Sequence, residues 1–96
     1  MSVHQFMLNK TTPIKEIINH LQRPFDSHDF IQVFSKEFQK EYIQLLTAYE
    51  EEPFIKVHSQ IGKFLSENQE ELGIKSNGKV LSANIFGEHT ENEQWK

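Results

Sequence analysis

The amino-acid sequence predicts an all-α fold, with a minor β element left open in the last quarter of the chain. Apolar residues recur at steps of three and four through most of the sequence, as they do on one face of a helix. Pro13 and Pro53 stand where helices can begin, and Gly73 stands where one can end. After Gly73 the helical spacing is lost. We therefore expect three main helices packed around one core, followed by an irregular C-terminal quarter.

The first main helix is predicted over residues 13–23, after a short N-terminal helix that Ser2 can cap. Thr12 fits the N-cap position before Pro13. Pro24 disfavours helical backbone at the residue before it and should end the helix. The apolar stripe of this helix consists of Ile14, Ile17, Ile18 and Leu21.

The second and longest helix is predicted over residues 28–49, with Asp26 or Ser27 as its cap. One broad face of it carries Phe30, Ile31, Phe34, Phe38, Tyr42, Leu45, Leu46 and Tyr49. Val33 and Ile43 project to other sides of the same helix. This helix is therefore a candidate for the central position of the fold, or alternatively one of the two residues marks an oligomer contact.

The third helix is predicted over residues 53–72. Ser66 and Gln69 fit the spacing of a capping box, so a break at Ser66 with a separate short helix after it stays open. Gly73 should end the helix in a Schellman motif. The apolar face is formed by Phe54, Val57, His58, Ile61, Phe64 and Leu65. Across the two longest helices, the predicted centre of the core is Phe34, Phe38, Leu45, Ile61 and Leu65.

The last quarter contains turn signals and one more capping pattern. Asn77-Gly78 favours a tight turn, and residues 80–87 are compatible with a strand or a loop. Thr90 and Glu93 have capping-box spacing, so we expect a final helical turn that docks Trp95 onto the body of the protein.

Length and composition predict one small domain over residues 1–96 in the cytoplasm. The 96 residues include eight Phe and no Cys, and the formal net charge is −4. Without Cys, neither disulfides nor thiolate metal sites can form. No secretory signal pattern or membrane-length apolar run is visible, which predicts no membrane association.

The spacing of polar residues predicts neither an enzyme nor a cofactor or metal site. No two of the histidines at positions 4, 20, 28, 58 and 89 are four residues apart, the spacing that joins two imidazoles to one ion on a helix. No G-x-S-x-G pattern is present, and the four glycines are too far apart for a phosphate-binding loop.

His58 is the one titratable residue that helical spacing places on an apolar face. A buried imidazole disfavours its charged form, so we predict that its pKa is depressed in the folded protein. It is expected to be a core or interface histidine.

The predicted function is that of a non-enzymatic interaction or regulatory module. It would associate through apolar helix surface with a second copy of itself or with a protein partner, and a homodimer at micromolar concentration is expected. The candidate interaction residues are Val33, Ile43, Ile55 and His58.

The alternative is a DNA-binding regulator of helix-turn-helix or winged-helix type that uses the segment after Gly73. Lys75, Ser76, Asn77 and Lys79 would then contact phosphates. Glu70 and Glu71 stand close by, and the cations of the chain are scattered, so nucleic-acid binding is not favoured.

Overall fold

Helices predominate in the fold, but a three-stranded antiparallel sheet makes it α+β, and the all-α prediction is wrong. A computed structural model describes residues 2–96, which form six helices and three strands. In chain order they are α1 (Val3–Leu8), α2 (Thr11–His20), β1 (Phe25–Asp26), α3 (Ser27–Glu37), α4 (Gln39–Thr47), α5 (Pro53–Glu67), α6 (Gln69–Leu72), β2 (Ser76–Ala83) and β3 (His89–Trp95).

The last strand of the chain is the central strand of the sheet. The strand order is β1-β3-β2, and both neighbours of β3 run antiparallel to it. Trp95 is paired with Phe25 of β1 on one side and with Ser76 of β2 on the other. The C-terminal quarter is therefore ordered as a β-hairpin and is not irregular.

The final helical turn predicted from Thr90 and Glu93 is a strand. A helix cap contributes about 1 kcal/mol, whereas β3 finds backbone partners along both of its edges. The predicted docking of Trp95 is confirmed, because its side chain is fully buried, although it reaches the core from a strand.

The hairpin turns at Ile85–Gly87. The Asn84 N–H donates to the Glu88 carbonyl over 2.8 Å, and the Gly87 N–H donates to the Asn84 carbonyl over 3.0 Å. Gly87 has φ +82°, as expected for the last residue of a three-residue hairpin loop. The Asn84 side chain accepts hydrogen bonds from the backbone of Phe86 and Glu88 and so fixes the loop.

Asn77-Gly78 does not form the turn that its sequence predicts. It lies inside β2, where the pairing with β3 shifts between Ser76 and Lys79, and Gly78 has φ +90°. The positive φ that the pair favours is used in a β-bulge.

The predicted helix over residues 28–49 is two helices. Phe38 separates α3 from α4 with non-helical φ −119° and ψ 51°. The start of α3 agrees with the prediction of Asp26 as cap: the Asp29 N–H donates to Asp26 Oδ1, and the Asp26 N–H donates to Asp29 Oδ2. The first main helix begins and ends earlier than predicted: α2 starts at Thr11 with Lys10 in the N-cap position, so Thr12 is not the cap, and the helix ends at His20.

The predicted segment 53–72 breaks at Asn68, two residues later than the break at Ser66 that was left open. The Schellman motif at its end is confirmed. Gly73 has φ +68°, its N–H donates to the Glu70 carbonyl, and the Ile74 N–H donates to the Gln69 carbonyl over 2.9 Å.

One hydrophobic core joins the helices to the sheet. Of its predicted central residues, Phe34, Leu45, Ile61 and Leu65 are buried, but Phe38 is only partly buried because it lies at the helix break. The buried apolar residues are Val3, Phe6, Met7, Ile14, Ile17, Ile18, Phe25, Phe30, Ile31, Phe34, Tyr42, Leu45, Val57, Ile61, Phe64, Leu65, Leu72, Ile74 and Trp95.

The difference in burial between Phe34 and Phe38 gives a test of the core. Replacing the fully buried Phe34 by Ala should lower the free energy of unfolding by about 3–5 kcal/mol. Replacing the partly buried Phe38 by Ala should cost less, because less surface leaves water on folding. Denaturant titration of both variants measures the difference. An equal or larger loss for the Phe38 variant would show that the core is centred elsewhere.

Candidate functional site

A cleft of about 750 Å³ lies between α5 and the β2–β3 hairpin. Its helical wall is one face of α5, from Phe54 through His58, Gly62 and Ser66. This face lies beside the buried stripe of the same helix, about 100° around the helix axis, because each of its last three members directly follows a buried residue. At a rise of about 1.5 Å per residue, the wall is about 18 Å long.

The other wall and the floor come from distant parts of the chain. The hairpin wall runs from Asn84 and Phe86 at the loop to Lys79 and Glu93 near the base of the sheet. The floor is formed by the start of α3 and the end of β3, with Ser27, His28, Ile31 and Trp95. The cleft therefore exists only when the hairpin is docked on the helices.

The loop end of the cleft is apolar and open to solvent. Phe54, Ile55 and Phe86 are all exposed there, and Ile55 keeps 60% of its surface accessible. The Phe54 and Phe86 rings meet edge to face with their centroids 4.9 Å apart. This pair joins the beginning of α5 to the hairpin loop.

The floor of the cleft carries a hydrogen-bond network that fixes the hairpin to α3. The imidazole of His28 lies between two hydroxyl groups, 3.0 Å from Ser82 Oγ at Nδ1 and 3.3 Å from Thr90 Oγ1 at Nε2. The His28 N–H donates to Asn92 Oδ1 over 3.0 Å, and Asn92 Nδ2 donates to Ser82 Oγ over 3.0 Å. Each buried polar group is thereby paired, as stability requires.

His58 lies in the cleft, and one of its two ring nitrogens forms a hydrogen bond. Its Nε2 is 2.6 Å from the hydroxyl of Tyr42, and the two rings are stacked. Burial raises the pKa of Tyr42 to about 12, so the phenol stays protonated and donates to Nε2. The proton of the neutral imidazole is then on Nδ1.

The predicted depression of the His58 pKa is confirmed. Burial, and after it the positive charge of His28, lowers the pKa of His58 to about 4. Phe54 on the same helix face contacts the His58 ring, and the stacked ring of Tyr42 is a neighbour that the sequence did not predict. His58 is thus a neutral hydrogen-bonding group at pH 7.

The charged residues that line the cleft are more acidic than basic. Three carboxylates, of Glu88, Glu91 and Glu93, face two ammonium groups, of Lys63 and Lys79, which leaves a net charge of −1 with neutral histidines. Glu93 also accepts a hydrogen bond from the Ser76 hydroxyl. The carboxylates without such a partner among residues 2–96 are those of Glu88 and Glu91, nearer the apolar end.

The structure brings together two of the four residues predicted for interaction. Ile55 and His58 both line the cleft. Ile43 is 58% exposed on α4 but lies outside the cleft, and Val33 is partly buried against the core. Val33 is therefore not a free surface residue.

The segment predicted for phosphate contact is largely engaged within the protein. The Ser76 N–H donates to Gln69 Oε1, and Asn77 Nδ2 donates to Gln94 Oε1 over 2.7 Å. Lys75 and Lys79 are exposed, but Lys79 is paired across the sheet with Glu93.

Phe86, His28 and Asn92 belong to the site and were missed as site residues by the sequence reasoning. Phe86 belongs to the segment 80–87 that was predicted as a strand or a loop, and His28 is the first residue of the predicted second helix. Only Asn84 and Gly87 around Phe86 gave a local signal, since their types favour a hairpin loop.

Two kinds of site are absent from the part of the chain that the structure describes. Residues 2–96 contain no cluster of His, Asp and Glu side chains that could hold a metal ion. Among the same residues, no helix has the length and apolar character needed to cross a membrane.

Comparison with protein-family models, curated proteins and solved structures finds no match to this chain.

The depressed pKa of His58 predicts a definite pH dependence of stability. As the pH falls from about 6.5 to about 4, the unfolded chain takes up a proton at His58 that the native protein refuses, so the native state loses stability. Because the ring is partly open to solvent, we expect a loss of about 1–2 kcal/mol over this range.

Replacing His58 by Gln should flatten that part of the profile, measured by denaturant unfolding between pH 7 and 4. His89→Gln, at an exposed position of β3, is the matched control and should leave the profile unchanged. An NMR titration that gave His58 a pKa of about 6.5 or higher would contradict the effect of burial.

Proposed function

We propose that the protein is a non-enzymatic interaction module of the cytoplasm that binds a segment of a partner protein in the cleft between α5 and the hairpin. The segment carries one apolar side chain flanked by Lys or Arg. The observation that carries the proposal is the exposure of Phe54, Ile55 and Phe86 together at one end of a preformed cleft. The lack of Cys supports a reducing compartment.

The apolar end of the cleft supplies the site that receives the anchoring side chain of the partner. Exposed apolar side chains rimmed by polar ones are typical of protein interaction sites, and an anchor that enters such a site contributes most of the binding energy. Phe54 and Phe86 present aromatic edges and faces on both sides of the cleft, and Ile55 adds an aliphatic surface.

The charges favour basic residues beside the anchor. Glu88 follows Phe86 by two residues in the hairpin, and Glu50–Glu52 directly precede the beginning of α5. All of these glutamates are exposed, and Glu88 lines the cleft itself. Complementary charges of this kind select a partner and speed its association.

A partner of different sequence fits the cleft better than a second copy of this chain. Two copies facing each other across their clefts would bring Glu88 and Glu91 near the same residues of the other copy. Like charges placed together at an interface cost energy.

The helical wall of the cleft, about 18 Å long, matches about five residues of extended chain.

A DNA-binding regulator of winged-helix type is the second candidate, because a β-hairpin follows helices α5 and α6, with Lys75 directly before it and Lys79 within it. The excess of carboxylates in the cleft opposes phosphate binding. Titration with mixed-sequence duplex DNA at low and moderate salt separates the two candidates, since phosphate contacts weaken steeply as salt rises.

The proposal predicts selective binding of short synthetic peptides. A hexapeptide with a central Leu flanked by Lys should bind, and the same peptide with flanking Glu should not. Isothermal titration calorimetry measures the binding, because Trp95, the only Trp, is fully buried at the base of the hairpin. We expect dissociation constants of roughly 10 µM to 1 mM for a contact of this size.

Ile55→Ser should weaken the binding of the Lys-flanked peptide about tenfold, because it removes buried aliphatic surface from the complex. Ile43→Ser is the matched control, since Ile43 is 58% exposed and Ile55 is 60% exposed, but only Ile55 lines the cleft. The proposal is wrong if neither peptide binds or if both variants weaken binding equally.

A further inference from the structure

The outer edge of β2 is open between Lys79 and Ala83. β2 lies at the end of the sheet order β1-β3-β2, so one of its two edges has no neighbouring strand. Near the base of the sheet this edge is closed, because the Ser76 N–H donates to Gln69 Oε1 and the bulge at Asn77-Gly78 bends the strand. Beyond the bulge, no hydrogen bond from residues 2–96 reaches the backbone on that edge.

The hairpin loop determines which backbone groups point outward. The Asn84 N–H donates to the Glu88 carbonyl, which makes residues 84 and 88 a hydrogen-bonded pair. Such pairs alternate along an antiparallel ladder, so the pairs Ser82–Thr90 and Val80–Asn92 are also hydrogen-bonded. The N–H and C=O groups of Lys79, Leu81 and Ala83 therefore point away from β3.

We propose that this edge pairs with the same edge of a second copy of the chain, antiparallel and centred on Leu81. In that register Leu81 lies opposite Leu81 of the second copy, and Lys79 lies opposite Ala83. All three positions face the second copy with outward N–H and C=O groups, which gives roughly six backbone hydrogen bonds. The result is a continuous six-stranded sheet.

The side chains agree with this register. Leu81 is 71% exposed, the largest value among the exposed large apolar residues of the described chain, and it lies in the middle of the open edge. Pairing on the two-fold axis places two Leu81 side chains in contact and removes them from water. The two Lys79 residues are kept apart, each opposite a small Ala83, so no like charges meet directly.

The proposed pairing is independent of the cleft. Of the residues on the open edge, only Lys79 borders the cleft, and Leu81 and Ala83 lie outside it. A single pair of strands forms a small interface, so we expect a weak dimer with a dissociation constant on the order of 100 µM.

Sedimentation equilibrium of the full chain up to about 1 mM tests the dimer. Leu81→Lys should raise the dissociation constant at least about tenfold, since it puts two ammonium groups side by side on the axis. Leu8→Lys is the matched control, because Leu8 is 48% exposed on α1, and it should leave the dissociation constant unchanged. A parent chain that stays monomeric, or a dimer that Leu81→Lys does not weaken, overturns the proposal.

A second measurement tests the register itself. The chain has no Cys, so Leu81→Cys introduces a single thiol. Opposed residues of a hydrogen-bonded antiparallel pair have Cα atoms about 5.5 Å apart, within the range of a disulfide. Mild oxidation should therefore give a covalent dimer of Leu81→Cys but not of Leu8→Cys. Equal cross-linking of both variants overturns the register. Adding Ile55→Ser to the Leu81→Cys variant should leave the cross-link intact, even if the cleft binds no peptide.

Discussion

Trp95 lies where the sheet meets the helices, and its side chain is fully buried. Its indole N–H donates to Ser27 Oγ over 3.1 Å, which ties the last strand to the first residue of α3. Its backbone lies between Phe25 and Ser76. Because β3 is the central strand, β1 and β2 have no direct contact through backbone hydrogen bonds. The sheet, the floor of the cleft and the hairpin wall therefore all depend on the insertion of β3.

The buried polar network makes the register of that insertion specific. A slip of one residue would move alternate side chains of β3 to the opposite face of the sheet. Asn92 would then lose its contacts with the His28 backbone and the Ser82 hydroxyl. In residues 2–96 no buried side-chain nitrogen or oxygen lacks a partner, so each lost contact would leave a polar group unpaired at a cost of about 1–3 kcal/mol.

Local sequence signals predicted the helical part of the fold well. Helix caps and stops depend on neighbouring residues, so Asp26, Pro53 and Gly73 could be interpreted directly. The break at Phe38 was missed because the apolar spacing continues through it without a Gly or Pro.

The sheet was missed because its central strand has almost no apolar pattern. In β3 only Asn92 and Trp95 are buried, and the other residues are polar. A strand covered by a polar network does not show the alternation that reveals most strands. The capping-box spacing of Thr90 and Glu93 then favoured a helix, because a local pattern cannot report pairing with β1, whose residues are 68 and 70 positions away.

The cleft could not be predicted from the sequence for the same reason, because its floor and its two walls come from three separate segments of the chain. The apolar character of its loop end is nevertheless explained by the residues of the hairpin loop. In this turn Ile85 packs against the core, whereas Phe86 is 54% exposed. The exposed Phe86 ring contacts Phe54 at the beginning of α5. That contact contributes only about 0.5–1.5 kcal/mol beyond the burial of its surface, so the two rings can separate at low cost. The loop end of the cleft is thus held by a weak aromatic contact, while the strong constraint on the hairpin lies at its base, around Trp95.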